Sequence, residues 1–277
     1  MNNLVIRYAK WMLVALFFTV MPHNGAAQCG IENNAFSNGE FVSYDLYFNW
    51  KFVWVKCGAA HYTMKSTTYK GQPALRNDLL FTSNKRCDAV FTMRDTLISY
   101  ITPQLVPLYF RKGSLEGKHY TVDEVVYDYS GGKCNLRMYR KKDTGQGKWI
   151  SDSRPECIVD MLNLFIKARS YDNSGWKPGW KQNVQVADGD GINPGYLEYK
   201  GKETVKGDND VKYNCLKLSY YEYKKSKKKY KELAVFYVTD DANHIPVRID
   251  FNLNFGSAKA YVTGMRGTRS PVTAKAK

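Results

Sequence analysis

Histidine is scarce in this 277-residue sequence, and the groupings that mark common catalytic and metal sites are absent. Of four histidines, His61, His119 and His244 follow an N-terminal leader, and none neighbours a second histidine or a cysteine. No CxxC pair suggests zinc or redox chemistry, and no GxSxG motif marks a serine nucleophile. We therefore assign no metal ligand, no cofactor and no catalytic residue from motifs.

Long hydrophobic runs are also absent. The largely apolar run over residues 11–21 is shorter than the ~20 residues that span a membrane as a helix. Basic residues precede this run and small residues, ending at Ala27, follow it, which is the order of a secretory signal peptide over residues 1–27. Cleavage before Cys29, giving a lipoprotein, is the alternative, and the non-small Gln28 disfavours it. The pattern predicts a free periplasmic or secreted protein.

Linkers and internal repeats are missing from the remainder. No Pro/Ser/Gly-rich stretch divides it, so we predict a single β-rich domain over residues 28–265. Residues 266–277 are basic and contain no large apolar side chain, which predicts a flexible tail.

What the chain does contain is period-two alternation of apolar and polar residues, typical of half-buried strands. The candidate strands are residues 38–50, 59–68, 74–83, 91–100, 105–111, 119–129, 134–140, 183–187, 196–204, 211–223, 232–239, 245–255 and 259–263. A bend is expected at residues 56–58. Short connections favour antiparallel pairing, and so many strands must curl. We predict an all-β fold, mainly antiparallel: a large curved sheet or partly open β-barrel.

One stretch, residues 154–170, has helical periodicity instead. Apolar residues recur at i, i+3, i+4 and i+7, namely Ile158, Met161, Leu162 and Phe165. Pro155 suits a first helical position, with Asp152 or Ser153 as the cap. We predict one amphipathic helix packed on or in the sheet.

The charge is strongly basic. Once the leader is removed, 39 Lys and Arg face 26 Asp and Glu, a net charge of +13. Export separates the chain from most nucleic acid, so anionic lipids or acidic glycans are the expected partners if the charge is used. The densest cluster, Lys224 to Lys231, is expected at a hairpin tip or edge, where it would make a peripheral membrane contact or remain a solvated loop. The sequence leaves the oligomeric state open.

Six cysteines occur in the mature chain, and an oxidising compartment permits disulfides. Their wide spacing selects none of the fifteen pairings, and some are equally compatible with free buried thiols.

The C-terminal stretch over residues 239–263 has a recognisable pattern: an Asp pair at Asp240 and Asp241, then Pro246, then Gly256 and Ser257. Upstream, Gly39-Glu40 followed by Tyr44, the pair Gly58-Ala59, and Asp160 with Arg169 complete it. In this respect the chain resembles the exported bacterial domain of unknown function 3108 family. The resemblance implies an exported β-rich fold and no established activity.

From these residues we take Glu40, Tyr44, Asp160 and Arg169 as candidate ligand-binding residues. The aromatic content and curved sheet favour an uncharacterised envelope protein that binds a lipid-like or glycan ligand without catalysis. The alternatives are a structural interaction module or an envelope-polymer hydrolase using paired carboxylates, drawn from Glu40, Asp45, Asp160, Asp240 and Asp241. The acidic turn at residues 188–191 does not match a calcium-loop template, and we interpret it as a turn.

Overall fold

Fifteen strands form in the described part of the chain, which comprises residues 29–50, 53–253 and 256–276 of a computed structural model. The predicted leader and its cleavage site lie outside these residues. The strands are β1 (Phe41–Trp50), β2 (Val53–Tyr69), β3 (Gln72–Ser83), β4 (Met93–Ile101), β5 (Pro107–Glu116), β6 (His119–Asp128), β7 (Cys134–Lys142), β8 (Lys148–Arg154), β9 (Ile158–Asp160), β10 (Lys181–Ala187), β11 (Ile192–Lys206), β12 (Lys212–Lys224), β13 (Lys229–Thr239), β14 (Pro246–Leu253) and β15 (Gly256–Arg266). The helices are α1 (Lys85–Asp88) and α2 (Met161–Arg169).

All of these strands belong to one nearly closed, barrel-like sheet. Its order is β8-β7-β6-β5-β4-β3-β2-β1-β15-β14-β13-β12-β11-β10-β9. Every neighbouring pair is antiparallel except β9 and β10, which are parallel. The predicted fold class, mainly antiparallel with one amphipathic helix, is confirmed.

Antiparallel order sorts the connections between strands into two ends of the barrel. The connections after β1, β3, β5, β7, β10, β12 and β14 lie at one end, which we call the hairpin rim. The connections after β2, β4, β6, β8, β11 and β13 lie at the opposite end, which we call the closed end. The connection after β9 contains α2, which begins at the rim and ends at the closed end. The N-terminal segment covers the closed end: Ile31 N donates to Gln104 O, and Gly39 N donates to Met64 O.

Helix α2 runs through the barrel interior from the rim toward the closed end. It begins at Met161, so the predicted start at Pro155 is wrong. Residues 158–160 pair with β10 instead, and the Asp160 carboxylate accepts a hydrogen bond from Asn163 N as the true N-cap. The predicted apolar stripe changes accordingly, because Ile158 lies in a strand and Met161 is 53% exposed. Within the helix, Leu162 and Ile166 pack into the main core while Leu164 belongs to a second cluster.

Two further expectations are corrected. The predicted bend at residues 56–58 is continuous strand, because a bulge opposite Leu46 absorbs the irregularity. Gly58 allows β3 to approach there, since a Cβ would lie 2.2 Å from Thr82 O. The predicted flexible tail is instead held in place at the closed end. Asn214 N donates to Ala274 O, and Ala274 is buried.

Two disulfides connect segments that are distant in sequence. Cys29 bonds Cys157, 128 residues away, which ties the N-terminal segment to the residue directly before β9. Cys57 bonds Cys87 and fastens α1 to β2. Cys134 and Cys215 are free and buried.

The disulfide pattern predicts a thiol count. The denatured, unreduced protein should react with about two equivalents of a thiol reagent, and about six after reduction. Peptide mapping should recover the pairs 29–157 and 57–87. Four or more reactive thiols before reduction would contradict the pairing.

Candidate functional site

A buried ion pair joins the C-terminal end of α2 to Glu40, the residue directly before β1. Arg169 donates through Nη1 to Glu40 Oε1 at 2.6 Å and through Nη2 to Glu40 Oε2 at 3.0 Å. Both side chains are nearly inaccessible, at 2% and 0% exposure. Arg169 also donates to Asn243 O from Nε and Nη2, at 3.1 and 2.9 Å. A charge pair taken out of water needs such additional hydrogen bonds to be tolerated.

Aromatic rings enclose this pair. The Arg169 guanidinium lies 5.2 Å from the Phe36 ring centroid and 6.0 Å from that of Tyr62. Tyr62 donates its hydroxyl to Asn77 Oδ1 at 2.8 Å. Tyr44 is buried beside the pair, and burial raises its pKa. The structure therefore brings three of the predicted ligand-binding residues, Glu40, Tyr44 and Arg169, into one buried polar cluster at the closed end, and Arg169 also lines the cavity described below.

Asp160 lies apart from them, at the other end of α2, about 13 Å away along the helix axis. It is fully buried, and its Oδ2 accepts from the Tyr127 hydroxyl at 3.2 Å while Oδ1 accepts from Asn163 N at 2.7 Å. Burial raises its pKa to about 7, opposed by these hydrogen bonds to the charged form. Asp160 caps the helix and anchors it to β6.

Asp241, the second residue of the Asp pair in the C-terminal pattern, connects several segments at the closed end. Asp241 Oδ1 accepts from Thr239 Oγ1 at 2.8 Å and from Asn243 N at 3.0 Å. Its Oδ2 accepts from Thr273 N and Ala274 N. Asn243, whose carbonyl receives Arg169, is thereby fixed.

The carboxylates that the hydrolase alternative requires are dispersed among separate interactions. Asp45 pairs with Lys56, and Asp240 pairs with Lys202 at 2.6 Å. Glu40, Asp160 and Asp241 have the roles given above. None of these five forms an ion pair or hydrogen bond with another of them within the described residues.

A cavity of about 880 Å³ lies between α2 and the inner side of β10–β14. Its walls are mostly apolar: Leu164, Phe165, Leu197, Leu218, Leu233, Phe236 and Phe251. Toward the hairpin rim the lining becomes charged, with Glu222, Lys224, Lys227 and Lys231 on one side and Lys112, Asp123 and Asp188 on the other. This cavity was not predictable from sequence motifs, because its walls come from strands and a helix far apart in the chain.

Arg140 bridges the two halves of the sheet beside this cavity. From β7 it donates to Asp123 at 2.6 and 3.0 Å, and it also pairs with Asp188 and Asp190 of the β10–β11 turn. The acidic turn therefore holds a guanidinium, and Asp190 N donates to Asp188 Oδ1 at 3.0 Å as expected of a turn. Burial raises the pKa of Asp188 to about 6. Within the described ranges, no three His, Cys, Asp or Glu side chains are grouped to hold a metal ion.

These features define a class: a nearly closed antiparallel β-barrel with an internal helix and an apolar cavity beside it. The sequence model of the family described as protein of unknown function, DUF3108, matches residues 43–263. The chain belongs to this family, which confirms the resemblance.

One solved structure shows the same type of fold at low sequence identity, and a second is a weaker match. A beta-barrel-like protein of domain of unknown function DUF1849 from Brucella abortus is 10% identical, with a TM-score of 0.55 over 84% of this chain and 98% of that one. An exported-protein candidate with a YmcC-like fold from Bacteroides fragilis is 10% identical, with a TM-score of 0.34 over 86% and 100% of the two chains. No curated protein matches the sequence. Among the described residues, no helix has the length and apolar character needed to cross a membrane.

The buried ion pair predicts a strongly non-additive mutational response. Glu40→Leu or Arg169→Met should each destabilise the protein by about 3–5 kcal/mol, because the remaining charge is left unpaired in the interior. The double variant Glu40→Leu/Arg169→Met should recover much of this loss. Urea unfolding measures the cycle.

The control for that cycle is the more exposed pair of Glu203 and Lys217, whose side chains are 43% and 32% exposed. Glu203→Ala should cost under about 1 kcal/mol. An equal loss in the free energy of unfolding at both pairs would show that the Glu40–Arg169 pair does not organise the closed end. Additive effects of the two buried substitutions would show the same.

Asp160 predicts a pH dependence of stability. Its folded-state pKa of about 7 lies above the ordinary value of 3.8, so the folded protein retains a proton that the unfolded chain releases between these values. This contribution is complete below pH ~4 and is lost as the pH rises to about 7. Asp160→Asn keeps a capping oxygen and has no such titration. In urea unfolding, the free energy of unfolding of Asp160→Asn relative to wild type should rise between pH ~4 and about 7 and level off at higher pH. A difference that stays constant over this pH range would show that Asp160 is ionised in the folded protein.

Proposed function

We propose that this protein binds a lipid-like amphiphile in the cavity beside α2, without catalysis, in the bacterial envelope. The observation that carries the proposal is the cavity itself, apolar along its walls and basic at its mouth. Its volume of about 880 Å³ lies within the range of small-molecule sites.

The cavity walls favour an acyl chain over a sugar. Phe165, Phe236 and Phe251 contribute aromatic surface, and leucines of β11, β12 and β13 complete it. Apolar burial stabilises a hydrocarbon by roughly 25 cal/mol per Å². A glycan would leave its hydroxyls facing these walls without hydrogen-bond partners, which is costly.

The cavity mouth favours an anionic headgroup. Lys224, Lys227 and Lys231 line it, and Glu222 is neutralised by Lys224. In the part of the chain described, no carboxylate pairs with Lys227. A lysine ammonium group at the mouth would bind the phosphate or carboxylate of a lipid headgroup close to solvent. The acyl chain of the same lipid would then extend into the apolar interior of the cavity.

Localisation in the envelope is supported by two features. The leader pattern over residues 1–27 predicts export. Two disulfides require an oxidising compartment, and the Cys29 sulfur is bonded to Cys157, so it is not available for lipid attachment. The free periplasmic or secreted form therefore remains our proposal.

Cavity filling tests the proposal. Ala168 lies on α2 and lines the cavity, so Ala168→Trp should exclude a ligand without removing a contact. Native mass spectrometry of wild-type protein purified from an envelope fraction should show bound lipid, which the variant lacks. Ala59→Trp is the matched control, because Ala59 is exposed on β2 and lies outside the cavity.

The headgroup is tested with a dansyl-labelled fatty acid and the corresponding uncharged alcohol. Lys227→Gln should weaken fatty-acid binding roughly tenfold and leave alcohol binding nearly unchanged. No bound lipid in wild type together with no probe binding would overturn the proposal, and a co-purified oligosaccharide would replace it.

A further inference from the structure

We propose that the hairpin rim is a docking surface for an anionic phospholipid bilayer. The proposal goes beyond ligand binding, since a rim can dock on a bilayer whether or not the cavity is filled. It rests on where the fold places exposed apolar side chains, and on the charge beside them.

Exposed apolar side chains are concentrated at one end of the barrel. Val53 and Trp54 begin β2 at the β1–β2 hairpin, and Val53 is 62% exposed. Val90 and Phe91 lie in the connection between β3 and β4, and Val90 is 65% exposed. Both connections belong to the hairpin rim.

The remaining large apolar side chains with high exposure follow the same rule. Tyr120, Trp149 and Tyr230 are each the second residue of a strand that leaves the rim, and Leu253 ends a strand that reaches it. Met161 opens α2 directly after β9, which runs toward the rim parallel to β10. All nine such side chains in the described residues therefore lie at the rim, and none lies at the closed end.

The rim also carries the most concentrated positive charge of the chain. The β12–β13 hairpin has six lysines within residues 224–231. Lys225, Lys227, Lys228 and Lys229 are exposed, and no carboxylate of the described ranges pairs with them. Nearby acidic groups are already compensated, Asp190 by Arg140 and Glu222 by Lys224.

This combination identifies the partner by its chemistry. Tryptophan and tyrosine side chains with lysines beside them are characteristic of protein at the membrane–water interface. Apolar tips enter the headgroup boundary, and each lysine near an anionic leaflet adds electrostatic attraction that salt weakens. The apolar residues are spread around a ring of hairpin tips, which suits a broad lipid surface. The cavity mouth lies at the same rim, through Lys227 and Leu253.

Vesicle binding tests the inference. The protein without its leader should co-sediment with vesicles of phosphatidylglycerol and phosphatidylcholine, and much less with phosphatidylcholine alone. Lys225→Gln/Lys228→Gln/Lys229→Gln should reduce partitioning on the order of 100-fold at low salt. These lysines lie outside the cavity, so ligand binding should persist.

The matched control removes three lysines from the closed end: Lys70→Gln/Lys133→Gln/Lys177→Gln. Lys70 also matches the left-handed backbone of Lys228, since both have φ of 49°. This control should bind vesicles like wild type. Val53→Ser/Val90→Ser should weaken binding at high salt as well, because the apolar contribution is not screened.

Binding that is unchanged in both rim variants, or equally reduced in the closed-end control, would overturn the inference. So would a dimer that dissociates in Val53→Ser/Val90→Ser without any vesicle binding, since the rim would then be a self-interface. Loss of lipid in Ala168→Trp with normal vesicle binding would support docking independently of the cavity. Vesicle binding without any cavity ligand would uphold docking and reject the proposed function.

Discussion

The buried contact between Glu40 and Arg169 is the constraint on which the rest of the structure depends. Glu40 lies directly before β1, the central strand of the sheet order, and Arg169 ends the helix that fills the barrel. Asn243 and Ala35 supply the remaining acceptors, so the N-terminal segment, the β13–β14 turn and α2 all meet at one guanidinium. A buried charge that loses its partners is strongly destabilising, so these contacts fix the C-terminal end of α2 at the closed end.

The position of the helix determines where space remains. Leu162 and Ile166 pack into the main core, so one side of the barrel interior is filled. On the other side, Leu164 and Phe165 face β10–β14 across the cavity. The N-terminal segment and residues 266–276 cover the closed end, and the cavity mouth lies at the hairpin rim. Ligand entry and membrane contact, as proposed, would therefore involve the same end.

The strands were predictable because a half-buried sheet imposes period-two alternation on the sequence. The short edge strands β8 and β9 escaped prediction, and the helix start was misplaced. Pro155 is compatible with helix entry, but pairing of residues 158–160 with β10 and capping by Asp160 postponed it. The partners of Asp160 and Arg169 could not be read either, since Tyr127 and Glu40 are brought to them only by the closed sheet. The Lys224–Lys231 cluster was correctly placed at a hairpin, while its position at the cavity mouth is a property of the fold.

The strand order also bears on how the sheet can be completed during synthesis or translocation. Every antiparallel pair joins two strands that are consecutive in sequence, except the pair of β1 and β15. These two strands are separated by more than 200 residues. A nascent chain can form its hairpins one after another, yet β1 keeps an open edge until the last strand emerges. Unpaired strand edges recruit other chains. A chain truncated before β15 would therefore expose two such edges at the centre of the sheet, and its characteristic failure would be aggregation.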